Sequence, residues 1–369
     1  MSRVNTVLGA RPQFVKAAVV SRALAAAGVT ERIIHTGQHS DAAMSEIFFE
    51  ELGIPAPCVN LGISGGGHGA QTGAMMTALE RELVATRRPG DLVLVYGDTN
   101  STLAGALVGS KLGIPVVHVE AGLRSWNRSM PEEVNRVVAD HLSALLLCPT
   151  ERSVTSLAAE GISEGGPLAR RVVRVGDVMF DAALAFGGMA GRVAPGADPA
   201  GTAAAHLLVT VHRAENTDDP RRLGTIVEAV RSLAREMPVV WPVHPRVRRL
   251  LPALGLSIGE RDGGPRLVEP VGYLEMLALE RHARCVLTDS GGVQKEAFFA
   301  GVPCVTVRDE TEWVELVEAG WNRVVPPTDS HAIVDAVRTA RPGLAGFAPY
   351  GAGDASVRIA EIIREFAAR

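Results

Sequence analysis

Two short apolar runs, VLVY at 93–96 and VVHV at 116–119, each hand over to a carboxylate: Asp98 soon after the first, Glu120 at the end of the second. A third acid, Glu132, follows in MPEEVNR. Carboxylates gathered at one concave site suit proton transfer, because burial and like charge raise one pKa while another group stays ionised. Each acid also has a structural reading. Asp98 can cap a helix beginning near Thr99, and Ser129, Pro131 and Glu132 form a capping-box pattern for the helix EEVNRVVADHL. Glu120 resists such a reading, since it ends a run otherwise patterned for burial.

Other turns carry groups suited to anions. In GARPQFVK, Gly9 closes a strand and Arg11 and Pro12 open a helix that brings Lys16 round on the next turn. Two cations beside a helix N-terminus suit a diphosphate, whereas a surface salt bridge is the plain role for Arg11. In TDSGGVQKEAFFAG, Ser290, Gly291 and Gly292 lie between a strand and a helix, where a hydroxyl, backbone N–H groups and the helix dipole make a diphosphate seat. Glycines also serve tight turns of that kind without any ligand. Glu296, inside the same helix, can accept both hydroxyls of a ribose. His212 ends LLVTV and His244 ends VVWPV, and equivalent strand-end positions favour a ligand site over two unrelated core histidines.

Some stretches offer less. GALVGSK at 105–111 lacks the P-loop spacing and follows no strand, and no GxGxxG occurs. SGGGHGAQTG at 64–73 reads as a mobile loop over the site or as a flexible connector. Arg246, Arg248 and Arg249 suit an exposed helix start.

The elements that must position these groups alternate along the chain. TVLGA, RIIHTGQ, LVLVYGD, PVVHVEAG, ALLLCPT and VVRVGD are strands separated by helical patterns, and LLVTVHR, VVWPVHP, RLVEPVG, CVLTDSGG and PCVTVRD repeat the arrangement. This is α/β architecture with parallel sheets: two doubly wound Rossmann-like domains facing a cleft. The N-terminal domain is expected over 1–175 and the C-terminal domain over 176–349, joined through the Gly-, Ala- and Pro-rich stretch before residue 205. The amphipathic helix within 350–369 is expected to pack back on the first domain.

Length and composition bound the function. The chain has 369 residues, 47% of them hydrophobic, enough for two full cores. A net charge of -4 provides no field for a nucleic-acid backbone. No run approaches membrane-spanning length, and no leader pattern precedes the first strand. Cys58, Cys148, Cys285 and Cys304 lack metal spacing and read as reduced core residues of a cytoplasmic protein.

Assembled in order, GARPQFVK, TGQH, YGDTNST, HVEAGLRS, MPEEVNR, VHRAEN, TDSGGVQKEA and RDETEW resemble the non-hydrolysing UDP-N-acetylglucosamine 2-epimerase family over essentially the whole chain. The resemblance implies a GT-B fold, a UDP-sugar substrate, no metal or nicotinamide, and commonly a homodimer. It also implies a reaction: UDP leaves C1 as the C2 proton is removed, and UDP adds back to the 2-acetamidoglucal after protonation on the other face. Carried onto this chain, Asp98, Glu120 and Glu132 are similar to the acid/base group, with His212 assisting and Lys16 matching a site lysine. Arg11, His212, Ser290, Gly291 and Gly292 match the diphosphate contacts, and Glu296 the ribose contact. Gln38 and His244 match an effector site that binds a second UDP-sugar in some members, but Ala70 stands where an arginine is found.

The chain departs from the family pattern elsewhere too. Trp313 in TEWVE replaces an arginine of TERPE, and Val271 and Met276 stand where some members place glutamine and phenylalanine around the uracil. GARPQF, FFEELGIP and TEW also resemble the branch acting on UDP-2,3-diacetamido-2,3-dideoxyglucuronate. Outside the epimerases, a GT-B glycosyltransferase would share the SGG and glutamate seat without needing the three acids, and a UDP-sugar-binding protein without catalysis would need only the seat.

Overall fold

The computed structural model describes residues 3–38, 49–165, 170–190, 205–255 and 264–368. The glycine-rich connection at 191–204 lies outside the described residues. By its contacts the chain forms two units, Met1–Ala182 with Ala348–Arg369, and Ala183–Phe347.

The first unit is built on strands β1 (Arg3–Leu8), β2 (Thr30–His35), β3 (Val59–Asn60), β4 (Leu92–Tyr96), β5 (Val116–Val119), β6 (Leu145–Cys148) and β7 (Arg171–Arg174). Their order is β3-β2-β1-β4-β5-β6-β7, with every described pairing parallel. Helices cover both faces, so the strands bury both sides and read as continuous apolar runs. One core joins Val7, Ile34, Val93, Val95 and Val116 to Met75, Leu79 and Leu83 of the helix His68–Thr86 and to Ala104 and Val108 of the helix Asn100–Lys111.

That packing explains two features of the sequence. The glycines of GALVGSK lie within the helix Asn100–Lys111, where a Cβ on Gly105 would come 2.8 Å from Val95 Cγ1 and one on Gly109 2.9 Å from Val116 Cγ2. They let the helix lie close on the sheet. The stretch at 64–73 is a loop only in part, because His68 opens a helix running to Thr86. The helix Ala355–Ala367 packs on the helix Arg11–Ala26 within this unit. Its start is held by Asp181, which accepts from Ala355 N at 3.2 Å and from Ser356 N and Oγ at 2.7 and 2.6 Å.

The second unit carries β8 (His206–Thr210), β9 (Val239–Pro242), β10 (Arg266–Val268), β11 (Ala283–Thr288), β12 (Cys304–Thr306) and β13 (Asn322–Val324), ordered β10-β9-β8-β11-β12-β13 and again parallel. Alternation along β8 divides the core: Leu207 and Val209 join Trp241, Leu287, Ile226 and Ile333 on one face, while Leu208 joins Val240, Val286, Val293 and Ala297 on the other. Cys148, Cys285 and Cys304 are buried, but Cys58 is exposed, because it lies in the loop just before the two-residue edge strand β3. Among the described residues no helix is long and apolar enough to cross a membrane.

Candidate active site

In each unit the strand order reverses beside the first strand, between β1 and β4 and between β8 and β11. Turns at such a switch point splay apart and leave a crevice at the carboxyl ends of the strands. The residues singled out in the sequence fall largely on these turns.

In the first unit Lys16 and Glu120, both buried, form an ion pair. Glu120 has φ of 69°, and with Trp126 it is one of two non-glycine residues at positive φ among those described. Such a backbone costs about 1–3 kcal/mol and persists only where its surroundings impose it. Gly97 has φ of 62°, and a Cβ there would lie 3.1 Å from Lys16 Nζ and 3.2 Å from Glu120 Oε2, so glycine leaves room for the pair. Asp98 comes next, half-buried. It does not cap the following helix, since Thr99 accepts from Thr102 N and is the cap. Instead Asp98 Oδ2 accepts from Arg136 Nη2 at 2.5 Å and the Asp98 carbonyl accepts from Asn135 Nδ2 at 2.9 Å.

Asn135, Arg136 and Glu132 share the helix Pro131–Leu142, whose cap is Met130. The capping box does not form, because Ser129 Oγ donates to Asn127 Oδ1 at 2.6 Å. Glu132 is half-buried in the first turn. Its neighbour Glu133 is fully buried and fastens the preceding loop, accepting from Ser125 N and Trp126 N at 3.0 Å each. Arg11 is half-buried at the start of its helix, which Gln13 ties to the sheet by accepting from Gly9 N at 2.8 Å and donating to the Tyr96 carbonyl at 3.0 Å. Gln38 has its side-chain carbonyl engaged by Ser101 N and Oγ at 2.9 and 2.7 Å, and Ala70 is exposed on the helix His68–Thr86.

In the second unit Ser290 precedes the helix Gly291–Phe299, with Gly291 buried and Gly292 exposed. A Cβ on Gly291 would meet Glu312 Oε1 at 2.8 Å. Trp313 is buried against the same turn, donating from Nε1 to the Gly291 carbonyl at 2.9 Å, with Lys295 Nζ 4.1 Å from its ring centroid. His212 follows β8 and donates its backbone N–H to Asp289 Oδ1 and Oδ2 at 3.0 and 3.1 Å. The His212 and His244 rings lie 5.4 Å apart, and His244, exposed, accepts from Arg246 N at 3.1 Å. Glu296 is buried on the helix Gly291–Phe299.

Comparison with known proteins adds to this geometry. A model of the UDP-N-acetylglucosamine 2-epimerase family matches residues 22–364. The chain belongs to this family.

A UDP-2,3-diacetamido-2,3-dideoxy-D-glucuronate 2-epimerase from Pseudomonas aeruginosa is 50% identical over 98% of this chain and 99% of its own length. A UDP-N-acetylglucosamine 2-epimerase from Methanocaldococcus jannaschii is 43% identical over 88% of each chain. The crystal structure of a UDP-GlcNAc 2-epimerase from that organism, in complex with UDP-GlcNAc and UDP, matches with a TM-score of 0.87 at 40% identity over 99% of each chain. The two parallel sheets are thus the α/β layers of a GT-B fold, and the chain is an isomerase of the 2-epimerase class.

Within this epimerase, burial pushes the His212 ring pKa down, and Asp289, 3.3 Å from Nδ1, opposes the shift. Asp289 is fully buried and also accepts from Arg213 N and Asn216 Nδ2 at 3.0 Å each, so it fixes the turn and the ring together. Glu280, fully buried on the helix Tyr273–His282, is pushed well up by burial and then by the charge of Glu296. Val271 and Met276 are half-buried and pack on the core that holds Val293.

Sequence reasoning missed Arg136, Asp289 and Gln13. A signal existed for Arg136, which lies four residues after Glu132 and so shares its helix face. Asp289 was legible as an acid entering the SGG turn from a buried strand.

Proposed function

We propose that this protein inverts C2 of a UDP-linked 2-acetamido sugar without hydrolysis, interconverting UDP-N-acetylglucosamine and UDP-N-acetylmannosamine. The reading is carried by the carboxyl ends of the neighbouring strands β4 and β5, where Asp98 on Arg136 and Glu120 on Lys16 put two carboxylates beside cations on adjacent turns. In the forward step a carboxylate takes the C2 proton, the C2–H electrons form the C1–C2 double bond, and the C1–O electrons leave with UDP. In the return step a proton reaches the other face of C2 and the UDP oxygen closes on C1. A proton beside an acetamido group is weakly acidic, so a placed base and support for the departing diphosphate are both needed.

Asp98, Glu120 and Glu132 form the acid/base group, with Lys16 holding Glu120 and His212 assisting the leaving group. Arg11, His212, Ser290, Gly291 and Gly292 hold the diphosphate, and Glu296 the ribose. The effector role of Gln38 and His244 is weakened by Ala70 in place of an arginine and by the engagement of Gln38 at Ser101. A homodimer in the cytoplasm completes the reading, and three buried free cysteines suit a reducing compartment.

A second reading keeps the reaction and changes the sugar to UDP-2,3-diacetamido-2,3-dideoxyglucuronate. The 50% identity of the Pseudomonas aeruginosa relative and the replacement of a substrate-site arginine by Trp313 favour it. Proton NMR in deuterated water, with each nucleotide sugar in turn, tests both. Deuterium at C2 and a second anomeric signal with little free UDP are expected; inertness toward both sugars sinks the proposal, and accumulation of free UDP would make the enzyme a hydrolysing one.

A further inference from the structure

Asp140, on the helix Pro131–Leu142, is fully buried and accepts hydrogen bonds from both sides of Glu120. Upstream, His118 Nδ1 lies 2.7 Å from Asp140 Oδ1. Downstream, Gly122 N and Arg124 Nη1 donate to Oδ2 at 3.1 and 2.7 Å. Arg124 is held in turn by Glu160, to which its Nε and Nη2 donate at 2.8 and 2.7 Å, and by the Leu123 carbonyl at 2.6 Å.

The same network reaches Asp98. His118 Nε2 meets the Gly97 carbonyl at 2.8 Å, while Gly97 N donates to the Val119 carbonyl at 3.0 Å. Through its two ring nitrogens His118 thus links the Asp140 carboxylate to the Gly97 carbonyl. The residue before Asp98 is therefore clamped to β5 through its N–H and its C=O. Between the points that Asp140 holds stands Glu120, in a left-handed backbone that a glutamate rarely adopts unaided.

We propose that Asp140 is a positioning residue for the reaction: it holds Glu120 in its left-handed conformation and, through His118, sets the Gly97–Asp98 turn, so that one buried carboxylate places both acids. The proposal rests on the reading of Glu120 and Asp98 as acid/base groups. It explains why an ionised carboxylate is kept in a dry interior. Gly122 N and Arg124 Nη1 meet one oxygen and His118 Nδ1 the other, and asparagine, with one acceptor oxygen and an amide NH2, cannot offer a charged acceptor on both sides of Glu120. Burial raises the Asp140 pKa, but His118 and Arg124 outweigh it and hold the group below the usual range.

The test compares wild type with Asp140→Asn and His118→Gln in the full chain, measuring kcat, KM, UDP affinity by calorimetry and C2 deuterium exchange. A displaced base costs rate rather than binding, so Asp140→Asn is expected to lose about 100-fold in kcat and in exchange, with KM and UDP affinity within about twofold. His118→Gln, which breaks only the upstream arm, is expected to lose about tenfold in kcat with KM unchanged. A folded Asp140→Asn protein with wild-type kcat overturns the assignment, as does a loss of kcat matched by an equal loss of UDP affinity. Should Asp140→Asn not fold, His118→Gln decides alone, and wild-type kcat there overturns the assignment. Absence of turnover in the wild type brings down the functional reading and this assignment together, whereas normal wild-type turnover beside an unaffected variant brings down this assignment only.

Discussion

Arg136 Nη2 donates to Asp98 Oδ2 at 2.5 Å, and the arginine making this contact is only 3% exposed. A cation so shielded from water holds a carboxylate in place more firmly than a surface partner would. Arg136→Met leaves Asp98 without that partner, and kcat should fall about 10–100-fold while UDP affinity is kept. Steady-state kinetics with a parallel UDP titration checks this; wild-type kcat would detach Asp98 from the chemistry.

Glu120→Gln keeps the shape of the side chain facing Lys16 and removes its basicity. C2 deuterium exchange should drop by about 10²–10⁴-fold, the span of general-base contributions. Calorimetric UDP binding should hardly change, because Glu120 is not among the residues assigned to the diphosphate or the ribose. Wild-type exchange in this variant would remove Glu120 from the mechanism.

Trp313→Phe keeps an aromatic ring under Lys295 and deletes the N–H donated to the Gly291 carbonyl. One lost hydrogen bond at the turn should weaken UDP about two- to tenfold. UDP affinity unchanged in this variant would mean that the seat does not depend on Trp313.

Glu280 makes a prediction about pH. Its folded pKa is raised well above 4.5, by burial first and then by Glu296, so folding takes up a proton. The stability it allows is therefore full below 4.5 and declines as pH rises through the folded value. Glu280→Gln removes this dependence. By scanning calorimetry its Tm should exceed that of wild type by about 2 °C or more at pH 8, with the gap closing toward pH 5. A gap that is the same at both pH values would exclude Glu280 as the titrating group.

The sequence made the α/β layering legible because strands buried on both faces leave unbroken apolar runs such as VLVY and LLVTV. It also marked the strand ends, where a polar residue must stop the run, so Asp98, Glu120, His212 and Ser290 stood out from one chain. What a neighbouring residue type suggested was less reliable. Asp98 looked like a cap, yet Thr99 fills that place. Ser129 and Glu132 looked like a capping box, yet the serine turned to Asn127. His68 opened a helix inside a stretch whose glycines argued for a loop. Cys58 looked like its three buried counterparts and is exposed.

By itself, then, the sequence determined the order of elements, the turns that carry polar groups and, through eight joint motifs, the family. Burial alternates with fixed periods, and that periodicity is local. Only the tertiary structure decided which group stands against each acid. Lys16 meets Glu120 and Arg136 meets Asp98 across long stretches of chain, and Asp140, on the same helix as Arg136, meets His118 of β5. Such partnerships depend on how each helix lies on the sheet, and the left-handed backbone of Glu120 depends on contacts made on both sides of it, which no local pattern encodes.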